Sequence, residues 1–126
     1  MIPKSVKKCS CGGDQTLIFP CSGGSNVGQV ANDAALELTR AGTGAMYCLA
    51  GISGNVSGIV ESTKSACKVV SIDGCKVQCA HKALTRAGRQ PDLAIIVTEL
   101  GIQKGGSLDV DAKDVQKVVK EVQSKL

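Results

Sequence analysis

"TLIFPCSGGSNVGQVANDAALELTRAG", residues 16–42, decides the fold. It opens on a short apolar run, passes through a glycine loop, and continues with Val27, Val30, Ala31, Ala34 and Leu38 at intervals of three and four. The first pattern is that of a buried strand and the second that of one helix face. Arg40 and Gly42 supply the stop: a cation near the last carbonyls, then a residue free to turn left-handed. Strand, loop and helix in that order are the unit from which parallel sheets are built.

Three further apolar runs repeat the alternation: "AMYCLA" (45–50), "KVVSIDG" (68–74) and "LAIIVTEL" (93–100). Each precedes helical spacing or small residues, which predicts an α/β domain of three layers. It would be a small Rossmann-like domain with a four-stranded, mostly parallel sheet flanked by helices. Ala80, Ala83, Leu84 and Ala87 form one stripe that ends at Gly88. The word "LTRAG" occurs at 38–42 and again at 84–88, which reads as shared helix-ending chemistry rather than duplication. Val115, Val118, Val119, Val122 and Leu126 give the clearest stripe, with Asp109 or Asp111 as its cap. The helix within "SGNVSGIVESTKSA" (53–66) is weakened by Gly54 and Gly58, at about 1 kcal/mol each relative to alanine. "GIQKGGSLDV" (101–110) reads as a glycine-rich flap near the carboxyl edge of the sheet.

The 126 residues, 43% hydrophobic, suit one core. Residues 1–15 read as a tail carrying lysines and cysteines, and 16–126 as a single α/β domain. No apolar run reaches bilayer length and no h-region follows "MIPKSVKKCS", so a cytoplasmic protein without membrane contact is expected. The net charge of +4 owes much to Lys4, Lys7 and Lys8, and aromatics are only 2%. A basic face and stacking platforms are both missing, which sets nucleic acid aside. The sequence names no protein partner.

Seven cysteines in a reducing compartment shift weight from disulfides towards metal or thiol chemistry. In open parallel sheets, ligands bind beyond the carboxyl ends of the strands. Cys21 ends the first run, Cys48 lies near the end of the second, and Cys75 follows the third through Asp73 and Gly74. Cys79 comes four residues later; were the helix already started, it would share a face with Cys75, Cβ atoms about 5–6 Å apart. That separation is too wide for an undistorted disulfide but suits zinc at about 2.3 Å per sulfur. The four thiols are therefore the expected metal ligands, and Cys75 at a helix N-terminus is the one a thiolate would favour. Ser25, Asn26, Asp73 and Glu99 are expected as polar support, with Asp73 also able to cap the helix. Cys9 and Cys11 are either extra ligands or exposed tail thiols. Cys67, at the opposite edge, reads as a core or incidental cysteine, and His81, turned away from Cys79 on a helix, as a surface residue.

"PCSGGSNVGQVAND" can cradle an anion on backbone N–H groups. It fails as a P-loop, since Gln29 and Val30 stand where Lys and Ser or Thr are needed, and its glycine spacing fails the dinucleotide fingerprint. A Cys-x5-Arg phosphatase loop would need arginine at Val27 or Gly54.

"CSGGSNVGQVANDAALELTRAG", "YCLAGISG" and "IDGCKVQCAHKAL" together resemble the signature blocks of the DGC-domain family, small prokaryotic proteins for which zinc binding is the proposed role. The resemblance runs from about residue 16 onward, and the family's four cysteines fall on Cys21, Cys48, Cys75 and Cys79. It implies zinc but no established reaction. Two alternatives stay open: a thiol redox or sulfur-transfer protein with a reactive Cys75 or Cys21, and an iron–sulfur cluster on the same four thiolates.

Overall fold

The computed structural model describes residues 15–126; Cys9, Cys11 and most of the expected 1–15 tail lie outside them. The elements are β1 (Thr16–Pro20), α1 (Asn26–Arg40), β2 (Ala45–Met46), α2 (Leu49–Ser53), α3 (Ser57–Lys64), β3 (Lys68–Asp73), α4 (Cys79–Arg86), β4 (Leu93–Ile96), a 3-10 turn (Val97–Leu100) and α5 (Ala112–Lys125). The four strands form one sheet in the order β2-β1-β3-β4, and every pairing is parallel. The α/β architecture expected from the alternation is thus present.

Alternation along the strands sorts side chains into two cores. Ile18, Val70 and Ile72 face α1 and α5, whose Val30, Ala34, Leu38, Val118 and Val122 are buried against them. Leu17, Phe19 and Val69 face the other way, onto Ile52, Val60 and Leu84. Ile18, Phe19 and Leu84 are all fully buried. At about 1.5–3 kcal/mol per buried large aliphatic or aromatic side chain, the two layers supply the main drive for folding. Ser71 is also fully buried, and its hydroxyl has no hydrogen-bond partner among the described residues.

Both "LTRAG" words end helices. Gly42 (φ 76°) and Gly88 (φ 95°) take the left-handed conformation. Thr43 N–H donates to Leu38 and Arg89 N–H to Leu84, closing the two helix ends in the same way. Asp111 caps α5 through Lys113 N–H at 2.9 Å, although Leu126 at the stripe's end is 38% exposed.

Three segments depart from the expected reading. The strand in "AMYCLA" stops at Met46. Tyr47 N–H still reaches Ile18 O, and its ring meets Phe19 edge-on at 5.8 Å; then Leu49 and Ile52 must both turn onto the second core, which requires helical spacing. The helix expected within 53–66 is α3 alone, and a separate short helix, α2, precedes it across Asn55, left-handed at φ 55°. The fourth run is a strand only to Ile96, because Thr98 N–H is drawn to Gly74 O at 3.2 Å; Glu99 therefore sits in a 3-10 turn rather than at a strand end.

Candidate functional site

The strand order reverses direction between β1 and β3: the chain leaves β1 towards β2 on one side and reaches β3 and β4 on the other. A crevice at the carboxyl ends of two such strands is where α/β sheets bind ligands. The β1–α1 loop with Cys21 and the β3–α4 turn with Cys75 flank it.

Two glycines let backbone pack on backbone here, one within the β1–α1 segment and one between the two segments. A Cβ on Gly28 would lie 2.5 Å from Gly23 O, and one on Gly74 would lie 2.7 Å from Gly28 N and 2.8 Å from Val27 C. No side chain fits at either position. The close approach brings Gly74 N–H to 3.3 Å from Cys21 Sγ, to which it donates. Burial pushes the Cys21 thiol up from its ordinary range; N–H groups of Gly74 and Gly23 oppose this, while Asp73 and Cys79 push it further up.

Asp73 is 1% exposed. Its carboxylate accepts from Ala80 N–H at 2.7 Å and His81 N–H at 3.1 Å, so the end of β3 caps α4 from a distance in sequence. Burial raises this carboxyl as well, against the two N–H groups that favour its charge. The cap fixes where α4 begins, and it corrects the helical spacing expected of the two cysteines. Gln78 is left-handed at φ 55°, α4 starts at Cys79, and Cys75 lies in the preceding turn. The two thiols therefore do not share a helix face. Nor does the α4 terminus serve Cys75, since Asp73 already takes the N–H groups of Ala80 and His81. Left-handed conformations at Ser22 and Gln78 flank the crevice; non-glycine residues held this way cluster at functional sites.

Cys75 has a different neighbour, which the sequence reading passed over. Lys104 Nζ lies 3.8 Å from Cys75 Sγ. Asn26 puts it there: its amide donates to Gln103 O at 2.8 Å and its carbonyl oxygen accepts from Gly105 N–H at 2.7 Å, pinning the loop on both sides of Lys104. Ser25, expected as polar lining, is instead the α1 cap, accepting from Gly28 N–H at 3.1 Å. The sequence signal for Lys104 is the lysine within the glycine-rich "GIQKGGSLDV", a loop that the βα alternation places at this same edge.

Cys21 and Cys75 are partly buried, Cys48 and Cys79 exposed, and all four are free thiols. Among the described residues, no three His, Cys, Asp or Glu side chains are gathered closely enough to hold a metal ion. Glu99 is exposed in its 3-10 turn. His81 is half-buried rather than on the surface, and its Nδ1 lacks a partner. Cys67, expected to have a core or incidental role, is disulfide-bonded, so the weight that a reducing compartment takes from disulfides does not decide this cysteine. Among the described residues, no helix is long and apolar enough to cross a membrane.

The family model described as DGC domain matches residues 17–122. The chain is 36% identical over 107 residues to the "Anaerobic and virulence modulator AnvM" of Pseudomonas aeruginosa, covering 85% of this chain and 82% of that protein. No solved structure matches.

Proposed function

Because this chain belongs to the DGC-domain family, whose name is carried here by Asp73, Gly74 and Cys75, we propose that the turn bearing those residues is a thiol centre that exchanges with external disulfides. The observation that carries the reading is the contact between Lys104 and Cys75 at the β1/β3 switch point. A thiolate at Cys75 gains a charge-assisted partner there. It attacks one sulfur of an external disulfide; that S–S bond breaks, a mixed disulfide forms, and the other sulfur departs as a thiolate with the bonding electron pair. A second thiol of the edge, Cys21 or Cys79, then loses its proton and displaces the bound group, leaving an internal disulfide. The external disulfide has gained two electrons and the protein has lost two. Such chemistry suits an anaerobic and virulence modulator, as the Pseudomonas relative is named.

A second reading takes Cys21, Cys48, Cys75 and Cys79 as ligands of zinc, or of an iron–sulfur cluster. It is favoured by the N–H groups of Gly74 and Gly23 directed at Cys21, since such donors stabilise metal-bound thiolates. It requires these side chains to converge from their present positions.

One experiment separates the readings. Protein purified without added metal is assayed for zinc and iron, then treated with a limiting small-molecule disulfide and mapped by mass spectrometry. The thiol reading expects modification first at Cys75, then an internal disulfide, and no stoichiometric metal. One zinc per chain, lost in Cys21→Ser and Cys79→Ser, would replace it with the second reading.

A further inference from the structure

The ten residues between Gly101 and Val110 have little of their own to hold them: most are exposed, with Ile102 the buried exception at 4%. Yet the segment lies in a defined place, because one side chain from the opposite end of the sequence grips it. Asn26 gives and accepts a hydrogen bond at Gln103 O and Gly105 N, seventy-seven and seventy-nine residues away. Lys104 lies between the two gripped residues, and no carboxylate is paired with its ammonium among the described residues.

Two lysines accompany Cys75: Lys76 follows it in the turn, exposed, and Lys104 approaches from the loop. The nearest acid in sequence, Asp73, is buried and bonded to the α4 backbone. Of these charged groups, the Lys104 ammonium is the one in contact with the sulfur.

We infer that Lys104, held over the crevice by Asn26, selects disulfides carrying negative charge as the partners of Cys75. This rests on the thiol reading given above and adds the substrate class to it: small, carboxylate-bearing disulfides are taken in preference to neutral ones. Lys104 acts through its charge on both the incoming anion and the Cys75 sulfur. Asn26 is a positioning residue, acting only through the loop.

The test compares two disulfides of opposite character on the reduced full-length chain: dithionitrobenzoate, which is dianionic, and dithiodipyridine, which is neutral. The rate at Cys75 is obtained by difference from Cys75→Ser. The ratio of the two rates should fall about five-fold in Lys104→Met, the size of a unit-charge contact near 4 Å in water. Lys104→Arg should restore it, and 1 M salt should erase the difference between wild type and Lys104→Met. Asn26→Ala should lower the ratio in the same direction, with the neutral reagent's rate little changed. Lys104 is exposed on a loop, so its replacement leaves both cores intact. A ratio unchanged in Lys104→Met, with Cys75 still the fastest thiol, overturns the selection by charge while leaving the thiol centre standing. Should Cys75 react no faster than Cys48 with either reagent, the thiol reading falls and this inference with it.

Discussion

Two turns at the same sheet edge each deliver a cysteine, and they are built in opposite ways. After β3, Gly74 is packed against the backbone of Val27 and Gly28, Asp73 is buried, and the next helix is capped by that carboxylate. After β2, a two-residue strand runs into a five-residue helix that has no side-chain cap, and Cys48 is exposed. The difference teaches that a cysteine at a strand end is an address, while the surrounding packing decides what its sulfur meets. Position at the switch between β1 and β3 is what separates the two: the inner strands bring their loops together, whereas β2 is an edge strand.

The contrast breaks first at the glycines. Gly28→Ala and Gly74→Ala press a methyl group into backbone, and each should cost about 3 kcal/mol of unfolding free energy by urea titration, the upper range for overpacking. An unperturbed midpoint in Gly74→Ala would show that the β1–α1 and β3–α4 segments are not in contact, and one in Gly28→Ala that the β1–α1 loop does not fold back on itself. Next in size is the cap: Asp73→Ala should lose about 2 kcal/mol, because two N–H groups of α4 are left without their acceptor.

The same carboxyl carries a pH signature. Its folded pKa is raised above the ordinary value of 3.8, so between that value and the folded pKa the native state holds the proton more tightly than the unfolded chain. Stability from this group is therefore greatest in acid and declines as pH rises through the folded pKa. Asp73→Asn removes the decline. Unfolding free energies of the two proteins, compared from acid to neutral pH, should show wild type losing ground to the variant as pH rises, and parallel curves would refute the assignment.

A smaller effect sharpens the comparison of sulfurs. At neutral pH, iodoacetamide should label Cys21 about ten-fold more slowly than Cys48, since burial both shields Cys21 and raises its thiol pKa. Peptide mapping over time reads the ratio. The smallest expected change is a gain: Gly58→Ala, where nothing stands within 4 Å of the added methyl, should stabilise α3 by about 0.5 kcal/mol, as an exposed helical position allows.

Much of this arrangement was legible in the residues. Strands 16–20 and 68–73, the long helices and both glycine-ended "LTRAG" words follow from hydrophobic period and helix-stop chemistry, which are local. The clustering of Cys21 and Cys75 at one edge followed from βα alternation alone. What local pattern could not supply is the start of α4, because its cap arrives from the end of β3 rather than from the residue before the helix. Cys75 consequently stands outside the helix face that simple spacing assigned to it. Lys104 escaped for the same reason at longer range. Its contact with Cys75 exists only because Asn26 grips a loop nearly eighty residues later, and nothing periodic in either segment announces that the two will meet.

The Asn26 grip also orders events during synthesis. A chain emerging from the ribosome has made all four edge thiols once it has passed Cys79, but Lys104 and its loop follow some twenty-five residues later. Until then Cys75 exists without the lysine that the folded chain sets beside it.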